Sequence, residues 1–162
     1  MDTHDFIARY GSIYEHSPWV AEQVATLGGD IKDSAVLAAL MADCVDNADI
    51  EQQLALIRAH PDLAGKAQVA GELTQASTAE QASAGLDQCS PQEFARFQEL
   101  NNAYFEKFGF PFVMAVRGQD RAAILEAFAQ RLGNDYDLEF ETALMEIHKI
   151  ARLRLDAMRN NL

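Results

Sequence analysis

Three places in this sequence combine residue types and spacings that could do chemistry. The first is Arg154. Phe140, Leu144, Ile147, Ala151, Arg154 and Met158 step by three or four residues, so a helix puts them on one face, and that face is apolar. A guanidinium stays charged. Buried, it needs an anionic ligand or an internal carboxylate; otherwise it must reach water past its neighbours. The second is His60, between a helical stretch and Pro61. A helix C-terminus favours imidazolium, and a histidine titrating near neutrality can serve as general acid or base. The plainer role is a C-cap. The third is Ser77 with Glu80 and Gln81. Ser77-Thr78-Ala79-Glu80 has the spacing of a capping box, in which serine and glutamate each satisfy an N–H of the helix start. The same helix start could instead bind an anion and keep Glu80 ionised, as one half of an acid/base pair with His60. Gln81 adds an amide that both donates and accepts.

Other chemistries lack their spacing. His4, His16 and His148 form no His-Glu-x-x-His or Glu-x-x-His pattern, and neither Cys44 nor Cys89 has a ligand neighbour, so no metal site is expected. His148 reads as an ordinary surface or boundary residue. There is no Gly-rich phosphate loop and no Gly-x-Ser-x-Gly elbow. The net charge is −12 without a Lys/Arg cluster, which argues against nucleic acid and anionic membranes as partners. An acidic chain also repels anionic substrates at long range. Attraction for one must be local, which returns attention to Arg154.

These residues need elements to hold them. The chain is long enough for one domain over 1–162, and a hydrophobic content of 49% argues against disorder. No apolar run spans a membrane and the N-terminus has no signal-peptide pattern, so a cytoplasmic protein with unpaired cysteines is expected. Ser17-Pro18 should start a helix that Gly28-Gly29 ends. A second helix covers about 34–48. Asp49, with Gln52 three residues on, caps a third, with Ile50, Leu54 and Ile57 on one face, and Pro61 stops it at His60. Residues 61–76 look irregular. Ser77 opens a helix toward Leu86. Ser90-Pro91-Gln92-Glu93 opens another, carrying Phe94, Phe97, Tyr104 and Phe108 as core residues, with Gly109 as its stop. Residues 110–116, Phe-Pro-Phe-Val-Met-Ala-Val, are apolar without a helical period and read as a buried extended segment. Asp120 to Gly133 and about 137–159 complete an all-α fold of about eight helices.

Several blocks, in order, resemble one family. They are His60-Pro61-Asp62-Leu63-Ala64-Gly65-Lys66, Ser77-x-x-Glu80-Gln81, Leu100-Asn101-Asn102-Ala103-Tyr104, Lys107-Phe108-Gly109-Phe110-Pro111-Phe112 and Ile150-Ala151-Arg152-Leu153-Arg154-Leu155. Together they are similar to 2-oxo-4-hydroxy-4-carboxy-5-ureidoimidazoline (OHCU) decarboxylases. The resemblance implies an all-helical homodimer without metal or organic cofactor that converts OHCU to (S)-allantoin and carbon dioxide. It implies His60 as the catalytic histidine and Glu80 as the essential carboxylate. Pro61, Ser77, Gln81, Arg154 and the backbone of Phe112, Val113, Met114, Ala115 and Val116 would hold the substrate. Met114-Ala115 departs from an Ile-Cys-like pair in the family pattern. The ending Asn160-Asn161-Leu162 lacks a Ser-Lys-Leu peroxisomal tag, and no second enzyme is fused, so a bacterial, cytoplasmic form is expected. The rival expectation is a helical binding or scaffold module with no reaction.

Overall fold

The computed structural model describes residues 2–27, 32–65 and 71–160. Among these residues there are eight α-helices, one 3₁₀ turn and no strand. The helices are α1 (Thr3–Tyr10), α2 (Trp19–Ala25), α3 (Ser34–Asp46), α4 (Ile50–Arg58), α5 (Gln75–Ser83), α6 (Pro91–Phe108), α7 (Arg121–Leu132) and α8 (Tyr136–Asn160), with the 3₁₀ turn Leu86–Gln88 between α5 and α6. The all-helical expectation holds. So does the extended segment: residues 111–116 have no regular structure, and Phe110, Phe112, Val113 and Val116 are buried. None of the helices among the described residues is long and apolar enough to cross a membrane.

The chain packs as two compact units, one from residues 1–60 and 144–162 and the other from 61–143. In the first, α1 packs on α2 and α2 on α3. Their buried residues include Phe6, Tyr10, Val20, Val24, Leu37, Met41 and Val45, and Ile147, Ile150 and Leu155 of α8 are buried in the same unit. Several caps are as expected: Asp49 accepts from the Gln52 N–H at 2.7 Å. The expected apolar face of α4 is buried at Ile57, half-buried at Leu54 and exposed at Ile50. Gln53, Leu56 and Ile57 are buried, while Ile50 is 69% exposed. Ile50 is the first helical residue, and the first turn of α4 projects into solvent. Gln53 is drawn inward because its amide donates to the Val45 carbonyl at 2.9 Å.

Two helix starts differ from expectation. α2 begins at Trp19 with Pro18 before it, and Ser17 does not cap it. The Ser17 hydroxyl donates to the Glu15 carbonyl at 2.9 Å instead. That helix ends at Ala25, before Gly28-Gly29, which lie outside the described residues. α5 begins two residues earlier than Ser77, because Thr74 takes the cap and its hydroxyl accepts from the Ser77 N–H at 3.2 Å. Residues 66–70 of the stretch expected to be irregular also lie outside the description.

In the second unit, α6 packs on α7 and an aromatic cluster fills the core. Tyr104 is fully buried, with ring centroids of Phe108, Phe110, Phe112 and Phe128 between 4.5 and 5.9 Å away. Pairs of this kind contribute about 0.5–1.5 kcal/mol each beyond their burial. The expected capping box at Ser90 and Glu93 is complete. Gly109 ends α6 with φ 75°, a left-handed turn that a residue without Cβ adopts freely.

Candidate active site

His60 follows the C-terminal turn of α4 and is buried, 7% exposed. Its Nδ1 lies 3.1 Å from the Leu56 carbonyl oxygen. A carbonyl can only accept, so Nδ1 carries the hydrogen and Nε2 of the neutral ring is left as a base. The helix end was expected to favour imidazolium. Burial outweighs it and pushes the pKa from 6.5 down to about 4; Arg154 and His16 lower it further, against the raising effects of the Leu56 carbonyl and Glu15. The reason is one of magnitude: a helix end contributes about 0.3–1 kcal/mol at an exposed site, while desolvating a cation costs several. His60 is therefore a neutral base at pH 7.

Arg154 is buried, as its place on the apolar face of α8 requires. It has an internal carboxylate. Its Nη2 donates to Glu15 Oε2 at 2.7 Å, and Nη1 donates to the Ile13 carbonyl at 3.4 Å. Glu15 was missed by sequence reasoning. An Arg on an apolar face calls for a partner, but nothing in the spacing selects one among 25 acidic residues. Glu15 also lies in a short irregular turn where periodicity is silent. His60, Glu15 and Arg154 belong to one unit and lie close enough for the two charges to act on the imidazole.

The second unit holds the other expected residues. Ser77 and Gln81, one turn apart on α5, are buried, and Glu80 is half-buried beside them. With Thr74 as the cap, Glu80 sits in the second turn and is not the partner of Ser77 in a capping box. Gln81 spans the turn that follows His60 in the chain. Its Oε1 accepts from the Ala64 N–H at 3.0 Å, and its Nε2 donates to the Asp62 carbonyl at 3.1 Å. Two more carboxamides complete the clamp. Asn101 donates to the Leu63 carbonyl at 3.0 Å and Gln98 to the Ala64 carbonyl at 2.7 Å. Ala64 has φ 50°, a left-handed conformation that a residue with Cβ keeps only where its surroundings impose it.

The 112–116 segment is also held. Phe112 stacks on Phe128 with centroids 3.9 Å apart. Arg131 places its guanidinium 4.3 Å over the Phe112 ring and donates from Nη1 to the Val113 carbonyl at 2.7 Å. Its Nε donates to Glu139, which is fully buried and also accepts from the Tyr104 hydroxyl at 2.6 Å. This network too escaped the sequence, because its members lie on three separate helices. A cavity of about 460 Å³ lined by Thr78, Ala82, Leu86 and Phe94 contains none of the expected site residues.

His148, expected to be a boundary residue, is partly exposed. It accepts from or donates to the Tyr14 hydroxyl at 2.8 Å and lies 3.0 Å from Asp46. Cys44 and Cys89 are both free.

The fold is an all-helical one that buries a neutral histidine near an Arg–Glu pair, groups able to exchange a proton with a bound small molecule. The OHCU decarboxylase family model matches residues 1–156, and the chain belongs to that family. Among relatives, the OHCU decarboxylase of Haloferax volcanii is 46% identical over 155 residues, covering 96% of this chain and 89% of that protein. The uric acid degradation bifunctional protein PucL of Bacillus subtilis is 41% identical over 96% of this chain, which spans 30% of that longer protein. A crystal structure of (S)-allantoin synthase superposes with a TM-score of 0.78 at 32% identity, covering 98% of this chain and 51% of that one. A structure of OHCU decarboxylase in the presence of (S)-allantoin shares the fold, with a TM-score of 0.72 at 24% identity and 98% of each chain covered.

Proposed function

We propose that this chain decarboxylates OHCU to (S)-allantoin and carbon dioxide in uric acid breakdown, by acid/base catalysis without metal or organic cofactor. The observation that carries the reading is His60: buried, neutral, its Nδ1–H committed to Leu56 and its Nε2 left as a base within reach of the charge of Arg154. The names of the relatives supply the substrate.

The substrate explains why side chains suffice. One ring carbon bears both a hydroxyl and the carboxylate, next to an imine carbon. When the bond to the carboxylate breaks, its electron pair forms a double bond to the imine carbon, and the imine pair moves onto nitrogen, which takes a proton. Carbon dioxide leaves. The resulting enol loses its hydroxyl proton and gains one on the neighbouring carbon, so one proton is consumed overall. His60 Nε2 takes the hydroxyl proton, and the imidazolium so formed delivers a proton to one face of the carbon. Glu80 orients the substrate or the proton it exchanges. The family resemblance further assigns substrate binding to Arg154, to the backbone of Phe112 to Val116, and to Pro61, Ser77 and Gln81.

The test is a coupled assay from urate that follows optical activity as allantoin forms. The expected result is accelerated formation of one enantiomer, lost by at least about 10²-fold in a folded His60→Asn variant. Racemic product at the spontaneous rate would overturn the reading. The family resemblance also supports a homodimer in the cytoplasm. Sedimentation equilibrium showing a monomer at micromolar concentration would remove the dimer.

A further inference from the structure

The Glu15 turn is built at some cost. The Glu15 carboxylate is 2% exposed, where an uncompensated charge is strongly disfavoured. His16, next to it, has φ 48°, in the left-handed region that residues with Cβ avoid. The turn is pinned on both sides. Ser17, itself buried, donates to the Glu15 carbonyl, and Arg154 donates to the Ile13 carbonyl as well as to the Glu15 carboxylate. The other carboxylate oxygen lies 3.8 Å from the exposed His16 ring. Such a turn holds the Glu15 carboxylate in place against the Arg154 guanidinium.

Its charge also falls where it matters. Arg154 and Glu15 act on His60 in opposite directions, so each offsets part of the other's effect at the imidazole. A guanidinium paired along one edge has its plane set, because its donors are arranged in a rigid fork.

We infer that Glu15 is a positioning residue, which fixes the plane of Arg154 for the substrate anion and offsets its charge beside His60. This rests on the reading that Arg154 and His60 act on the substrate. A purely structural carboxylate would stabilise the unit and leave the kinetics of folded protein unchanged.

The experiment compares Glu15→Gln, which keeps the size and an acceptor but removes the charge, with Glu15→Asp, which keeps the charge. Folded fraction is set by urea unfolding, and kcat and KM are measured for OHCU. The expected result for folded Glu15→Gln is a KM at least tenfold higher, with part of the loss recovered in Glu15→Asp. In an Arg154→Met background, Glu15→Gln should change KM by less than twofold, because the residue acts through Arg154. Wild-type kcat and KM in folded Glu15→Gln would overturn the inference. If Glu15→Gln does not fold, Glu15→Asp decides: its shorter reach should raise KM at least threefold, and unchanged kinetics would overturn the inference. A wild-type protein that leaves OHCU to decay spontaneously would instead overturn the functional reading beneath it.

Discussion

The Leu56 carbonyl and His60 Nδ1, 3.1 Å apart, fix which imidazole nitrogen can act. The bond holds the hydrogen on Nδ1, and burial keeps the ring neutral down to about pH 4. His60 in the unfolded chain takes its proton near its ordinary pKa of 6.5. Between those values the unfolded state binds more protons, so this residue's contribution is present above about pH 6.5 and lost as pH falls toward 4. The loss is about 3 kcal/mol in all. Urea unfolding at pH 7 and 5 should show about 2 kcal/mol of it, and His60→Asn should flatten that slope. The acid limb of kcat/KM should fall near pH 4. A limb centred at 6.5 would mean the imidazole is solvated in the working enzyme.

Thr74 and Glu80 separate capping from catalysis. Thr74 holds the Ser77 N–H, so Thr74→Ala should cost about 1 kcal/mol and little activity. Glu80→Gln removes no cap and should lower turnover by at least about 10²-fold, the lower end of the usual range for a positioned acid/base group. Thermal unfolding and the coupled assay check both. Equal turnover with a lower melting temperature in Glu80→Gln would assign that residue to stability alone.

What the sequence disclosed follows from where its signals are local. Caps at Asp49, Ser90 and Asp120, the stop at Gly109 and the apolar stripe through Arg154 depend on neighbours within four residues, and they stand as read. His60, Ser77 and Gln81 were legible as positions, while their partners were not. Glu15 is 139 residues from Arg154, and Gln98 reaches the carbonyl of Ala64 across 34. The direction of the His60 shift was misread because a helix end is visible in sequence and depth of burial is not. Ser77 is not the cap because Thr74, another capping residue, stands three residues earlier and starts the helix there.

Gln81 makes two bonds of opposite sense, accepting from Ala64 and donating to Asp62. Gln81→Glu keeps the shape and the acceptor but cannot donate to the Asp62 carbonyl. It should cost at least about 1–3 kcal/mol, the range for an unsatisfied buried polar group, because it also places a carboxylate against that carbonyl. The affected turn begins two residues after His60, so turnover should fall further than stability predicts. A variant with reduced stability but unchanged kcat per folded molecule would show that the turn is only a scaffold.

Arg131 and the fully buried Glu139 form a second ion pair, 2.9 Å apart, and Arg131 also holds the Val113 carbonyl. Removing one member leaves a charge without compensation, so Arg131→Met should cost about 3–5 kcal/mol. The double variant Arg131→Met with Glu139→Gln removes both charges and should recover more than half of that. Recovery of stability should not bring back activity, because the Val113 carbonyl still lacks its donor and the 112–116 segment is then held by Phe112 stacking on Phe128 without the Arg131 bond. Urea midpoints give the first part and product-analogue affinity the second. Full recovery of affinity in the double variant would show that the segment needs no support from Arg131.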